Sequence, residues 1–422
     1  MLDIIKKMNI FKYLKEICIL ALFAWISFFP EPIQEKYWLY AQIFFGVFLL
    51  YFISNKKYLK YVFNLQDWGL WLFLICLSGG MIFATDKNIA LKTYIHLTVT
   101  FIFLFYIGKS LSLFDEYRDK IILAICICGS LVALIGILEL YFGKNILYEN
   151  FIFNPFYKRH LEIGYHRRLL STQFNSAVLG TYLLCCLPFT FYFFTNKSLY
   201  LRLLSFFSLL ICIVVLVLAF ARGAFVGAIV MLLFYLGRKI KIKFVITLAF
   251  CLIIVLLINS YPKNIYLNRF SFKRMAIDIF SPGYRLNRFN MGIKILRDHP
   301  FFGIGLNHFR IRFEEYYAGE DGSVEYTFRV PDNMYLTFLT ETGIIGLLSF
   351  LIFIFSLFKR GLKQFSVLDD EGRKQVLLIT MSALTGLLVN MWAYDLFYWN
   401  GPYMFFSVFC GFVGASGKPV SA

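Results

Sequence analysis

Two runs, Leu203 to Ala221 and Phe244 to Tyr261, pass without a single charged side chain. Each approaches the roughly 20 apolar residues that cross a bilayer. A segment of that kind survives in hydrocarbon only if every backbone N–H and C=O is satisfied internally, so it is a helix. The pattern repeats along the chain at 16–30, 37–54, 67–84, 91–108, 120–142, 176–195, 203–221, 223–237, 244–260, 336–358, 375–393 and 400–416. Hydrophobic residues make up 59% and charged ones 16% of the 422. A soluble domain is about a quarter charged. The expectation is an all-α polytopic membrane protein of about twelve transmembrane helices.

Charge orients these spans. With the N-terminus in the cytoplasm, the inner segments carry Lys6, Lys7, Lys12, Lys15, Lys56, Lys57, Lys60, Lys109, Arg118, Lys197, Arg202, Arg238, Lys239, Lys359, Arg360 and Arg373. The short outer loops carry only Lys36, Lys87, Lys92 and Arg222. That asymmetry follows the positive-inside rule and puts both termini in the cytoplasm. The basic start and apolar run to Phe29 are followed by Pro30-Glu31-Pro32 rather than small residues, so the first span is expected to stay uncleaved. The resulting division is 1–142 (helices one to five), 143–175 (a first long outer loop), 176–260 (helices six to nine), 261–335 (a large outer loop with short helices) and 336–422 (helices ten to twelve).

The nine cysteines lie mostly in apolar runs and read as buried small hydrophobes. The net charge of +17 needs no nucleic-acid partner, because there is no basic soluble domain to bind one. Inner cations suit membrane lipids. No His and carboxylate spacing forms a metal site, and Gly303 and Gly305 lack the strand-to-helix setting of a phosphate loop, so neither metal nor cofactor is expected. Asp369 and Asp370 read as a solvated loop, His308 as a surface residue, and His96 as a hydrogen-bonding partner of a neighbouring helix.

Chemistry is therefore expected in the two outer loops. Both are basic although cations there run against the topogenic bias, and an anionic substrate would favour them. Arg222 sits in a tight turn between two apolar runs, helped by Gly223; a guanidinium there needs an anion or carbonyls, or else snorkels to the interface. Arg285 and Arg288 flank a helix beginning near Gly283, and arginine matches phosphate with a two-pronged donor set. Helical spacing from Met291 to Leu296 ends at Asp298-His299-Pro300. Asp332 precedes helical sequence and is either an N-cap or a general base. Glu341, about two turns further on, is either a buried hydrogen-bonder or a site residue.

These residues resemble a known family. Asp298-His299-Pro300-Phe301-Phe302-Gly303-Ile304-Gly305, Asn333-Met334-Tyr335-Leu336, and Glu341-Thr342-Gly343-Ile344-Ile345-Gly346-Leu347 look like the O-antigen ligase and O-antigen polymerase family. Ala221-Arg222-Gly223 resembles its Ser/Thr-Arg-Gly turn, and Arg168 to Asn175 with Leu179-Gly180 resembles its upstream loop and span. The resemblance covers about Arg168 to Phe350. It implies a twelve-span, metal-independent, inverting glycosyltransferase acting on undecaprenyl-diphosphate-linked glycan outside the bacterial inner membrane. Arg222 and Arg285 would hold the diphosphate and Asp332 would be the base, completing the catalytic set. Arg168, Arg288, Asn333, Tyr335 and Glu341 would bind substrate. The ligases carry a histidine at the position of Asp332, and this departure leans the expectation toward a polymerase, whose acceptor is another lipid-linked repeat. A ligase passing the glycan to lipid A core, or a lipid-oligosaccharide flippase, is the alternative.

Overall fold

The computed structural model describes residues 10–29, 36–53, 67–113, 115–142, 169–173, 175–195, 198–239, 285–317 and 330–415. Within them the regular structure is helical: α1 (Ile10–Phe28), α2 (Trp38–Ile53), α3 (Trp68–Gly79), α4 (Lys87–Leu113), α5 (Asp115–Phe142), α6 (Ser176–Cys186), α7 (Leu199–Leu218), α8 (Arg222–Lys239), α9 (Arg285–Asp298), α10 (Phe313–Tyr316), α11 (Met334–Glu341), α12 (Gly343–Val367), α13 (Glu371–Asn390) and α14 (Asn400–Gly414). Five stretches are long and apolar enough to cross a membrane: Lys87–Leu113, Tyr117–Phe142, Ser176–Phe194, Leu199–Leu218 and Gly343–Val367. The expected segment 244–260 lies outside the described residues.

Two expected spans have internal breaks. Segment 176–195 is α-helical only to Cys186 and continues as a tighter 3-10 helix, Leu187–Thr195. Pro188 lacks the N–H that an α-helix needs there and crowds the preceding turn. Segment 336–358 is two helices, α11 and α12, parted at Thr342–Gly343.

Helix packing sets the frame for the site. α4 lies against α14, α8 against α13, and α3 against α12. Aromatic side chains fill the centre: Phe338 and Phe397 have ring centroids 5.2 Å apart, and Phe397 and Tyr403 4.9 Å apart. Polar contacts add specificity between helices. Trp38 Nε1 and Gln42 Nε2 of α2 both donate to Thr100 Oγ1 of α4, at 3.2 and 2.9 Å. His96 has its ring 5.4 Å from that of Trp38, and this ring contact stands where an interhelical hydrogen bond was expected.

At the N-terminal end of α3, the carboxylate of Asp67 is fully enclosed and takes Lys109 Nζ at 2.6 Å and Arg360 Nη1 at 2.9 Å. The C-terminal end of α13 marks the opposite end of the bundle, and there α11 packs with α9 beside it.

Candidate functional site

The two glycine-bearing motifs are halves of one junction. The turn after α9 lies against the α11–α12 break: Ile304 N donates to Thr340 O at 2.9 Å, Gly305 N to Glu341 O at 3.0 Å, and Ile344 N to Pro300 O at 2.9 Å. These bonds satisfy the backbone groups freed by the interruption. Gly303 and Gly343 both have positive φ, 67° and 68°. A Cβ on Gly343 would meet Phe301 O at 2.2 Å, and one on Gly303 would meet Thr340 O at 2.4 Å. Gly343→Ala is expected to destabilise by more than about 1 kcal/mol from the left-handed backbone alone. The readout is the melting temperature of the solubilised protein; an unchanged value would show that the junction gives.

Glu341 anchors the same junction from inside. Its buried carboxylate accepts the N–H of Asn307 at 2.8 Å, that of Phe309 at 3.1 Å, and the Tyr398 hydroxyl. Of the two expectations for this residue, the geometry gives it the hydrogen-bonding one. His308, expected at the surface, is fully buried. Its Nε2 accepts from Asp86 N at 3.0 Å and its Nδ1 donates to Leu306 O at 2.8 Å, so a neutral imidazole ties the α3–α4 loop to this turn.

This junction holds α9 beside the start of α11. α9 runs from Arg285 and buries Met291 and Ile295, a longer helix than the Met291–Leu296 core of the pattern, with the expected end at Asp298. Arg288 is buried on the same helix, and its Nη1 grips Asp332 Oδ2. The Asp332 side chain is 39% exposed, and among the described residues its other oxygen has no hydrogen-bond partner. A buried guanidinium thus fixes a partly exposed carboxylate.

Asp332 is not the helix cap. Its φ is 51°, in the left-handed region that Asp tolerates better than most residues. That twist moves the capping role to Asn333, whose Oδ1 accepts Tyr335 N at 3.0 Å and Leu336 N at 3.1 Å. Asp395, in the segment between α13 and α14, holds the backbone in this shape. Its Oδ2 accepts Asp332 N at 2.8 Å, and its Oδ1 accepts Asn333 N at 2.9 Å and Thr337 Oγ1 at 2.7 Å. Burial, and then the charge of Asp332, push Asp395 up to about 6. The signal for Asp395 in the sequence is an acid isolated in apolar surroundings, and it was not singled out from that.

The turn before Arg222 lies alongside. It is made by Ala219–Ala221 with Phe220 at φ 53°, and Arg222 is the first residue of α8. Gly223 therefore serves close approach rather than the turn. A Cβ there would meet Asn390 Oδ1 at 2.6 Å and Ala393 Cβ at 2.7 Å. Two residues away, Met391 O accepts Met334 N at 2.8 Å, so the starts of α8 and α11 both pack on the end of α13. Tyr335 donates its hydroxyl to Leu388 O at 2.7 Å, on the same helix end. Arg222, Arg288, Asp332, Asn333, Tyr335 and Asp395 thus gather at one end of the bundle. Arg168 and the side chain of Arg285 lie outside the described residues.

The arrangement juxtaposes a half-exposed carboxylate, a buried guanidinium and an arginine-led helix start. Residues 207–351 match the family described as O-antigen ligase. This supports the family that the motifs suggested. The matched segment contains Arg222, Arg285, Arg288, Asp332 and both halves of the glycine junction. No curated protein matches the chain. The match and the five long apolar stretches together support a membrane protein similar to that family.

Proposed function

We propose that this protein extends a surface polysaccharide by transferring undecaprenyl-diphosphate-linked glycan onto another lipid-linked repeat. The carrying observation is the Asp332 carboxylate, held by buried Arg288 within the matched segment and beside the start of the Arg222 helix. In this reading the chain has twelve spans with both termini cytoplasmic, and the Asp332 end faces the periplasm.

The acceptor hydroxyl oxygen attacks the anomeric carbon from the face opposite the diphosphate. The new C–O bond forms as the bond to the phosphate oxygen breaks. The electron pair leaves with the polyprenyl diphosphate, and the hydroxyl proton passes to the Asp332 carboxylate. Inversion follows from the opposed geometry. Arg288 and Asp395 set the position of that carboxylate: one binds its oxygen and the other binds its backbone N–H. Arg222 and Arg285 meet the diphosphate, whose charge grows as the sugar departs, so they stabilise the transition state more than the ground state. Tyr335 and Asn333 border the glycan, with Arg168 approaching from the preceding loop.

A ligase reading is favoured by the description of the matched family. It uses the same donor and differs in the acceptor, lipid A core or another glycan. A flippase would need charges lining an interior path, whereas the enclosed Glu341 and Asp395 are spent on backbone and hydroxyl donors.

Arg222→Ala and Arg285→Ala are each expected to remove chain extension while the protein still inserts and accumulates. A surface-polysaccharide gel checks this. Single-repeat product supports a polymerase, accumulated lipid-linked polymer a ligase, and normal ladders from both variants would refute the arginine site.

A further inference from the structure

A cleft lies at the other end of the molecule. It has a volume of about 580 Å³ and is formed by the ends of α4, α5, α12, α13 and α14. The 20 residues of α13 separate it from the Asp332 site, about 30 Å at the rise of an α-helix. It therefore cannot be the glycan site.

Its walls are apolar, including Leu113, Ile121, Ile122, Leu377 and Phe412. Its rim holds two cations, Arg118 and Arg373, and two acids, Asp369 and Asp370. The charges are interleaved rather than opposed across a gap. Arg118 Nη1 is 3.4 Å from Asp370 Oδ2, Asp370 Oδ1 accepts Arg373 N at 3.0 Å to cap α13, and Arg373 Nη2 donates to Leu113 O at 3.3 Å. Asp369 is exposed, and among the described residues it takes no hydrogen bond. One further atom points to an occupant: Gln364 Nε2 is buried in the cleft wall without an acceptor. A buried donor left unmade costs about 1–3 kcal/mol, so such a group normally has a partner.

We infer that this cleft binds one phospholipid with an ethanolamine headgroup. The volume takes a headgroup and part of one acyl chain, the remainder staying in the bilayer, and the apolar walls suit that chain. Guanidiniums match the phosphodiester, and the adjacent acids match a primary ammonium. A glycerol ester carbonyl supplies the acceptor that Gln364 lacks. A glycerol headgroup brings hydroxyls but no positive charge to Asp369 and Asp370, and a quaternary ammonium has no N–H to donate. The inference goes beyond the transferase reading and does not depend on it.

The test is native mass spectrometry of the full-length protein released from vesicles of equal phosphatidylethanolamine, phosphatidylglycerol and phosphatidylcholine. One retained phosphatidylethanolamine per chain is expected, in excess over the other two. Asp369→Asn should cut that preference about three- to fivefold, the size of one exposed ion pair, with accumulation unchanged. Gln364→Leu should lower retention of all three lipids, since the ester contact is common to them. No retained lipid, equal retention of the three headgroups, or retention unaffected by both variants would overturn the site. So would a gain of lipid only after removal of residues 416–422, which would assign the cleft to the chain's own end. A glycan ladder from the same variants separates this result from the transferase reading, because neither residue is near Asp332.

Discussion

Asp332→Asn is expected to reduce glycan transfer by about 10²–10⁴-fold, the range for removing a general base. The substitution isolates the proton-accepting role from the others that this position performs. Helix capping is unaffected, because Asn333 supplies the oxygen for Tyr335 N and Leu336 N. The left-handed backbone at φ 51° suits asparagine as it suits aspartate. The backbone N–H still reaches Asp395, and the amide oxygen still accepts from Arg288. Only the negative charge and its proton affinity are lost. The measurement is turnover of a lipid-linked repeat by purified protein, with melting temperature as the control for folding. Wild-type turnover would remove the base role and leave Asp332 as the partner that orients Arg288. Lost turnover with a lowered melting temperature would instead place the effect in packing around the buried Arg288.

How much of this was legible depends on how local each signal is. The helical class was plain from runs such as Leu203 to Ala221, because the bilayer imposes one backbone solution on any charge-free stretch of that length. The end of α9 was plain from Asp298-His299-Pro300 for the same local reason. The pairing of Arg288 with Asp332 was not, since 44 residues separate them and nothing in either segment names the other. Cap and base were indistinguishable at Asp332 because the deciding quantity is a backbone torsion imposed by Asp395, from 63 residues away. Segment 336–358 read as one helix because Thr342–Gly343 resembles any small-residue step; the break is viable only because Ile304 and Gly305 donate to its carbonyls. The motifs that suggested the family supply scaffold: Gly303, Gly343 and Glu341 build the junction, and Asp332, where this chain departs from the ligases, keeps a partly exposed side chain beside it.

The second large effect is expected at the opposite end. Asp67→Ala should destabilise the bundle by about 3–5 kcal/mol, the usual cost of leaving a buried charge without its partner. Asp67 and Lys109 side chains are both 0% exposed, and Arg360 is 15% exposed. One carboxylate serves two cations, an oxygen for each, and Lys109 has Phe105 and Tyr106 rings for its remaining surroundings. Arg360 retains a second acceptor in Gly414 O at 3.1 Å, so Lys109 carries most of the penalty. Lys109→Met in the Asp67→Ala background should therefore recover most of the loss, whereas Arg360→Met in that background should recover little. The amount of monodisperse protein extracted in detergent, and its melting temperature, report both. Unchanged melting of Asp67→Ala would show that water reaches Lys109. In the proposed topology Lys109 and Arg360 both count toward the inner positive charge, yet in the folded bundle one acid partly neutralises them. Their contribution to orientation is thus expected during insertion, before α3 and α12 pack, and an insertion reporter placed after α4 should be insensitive to Asp67→Ala even where the folded protein is lost.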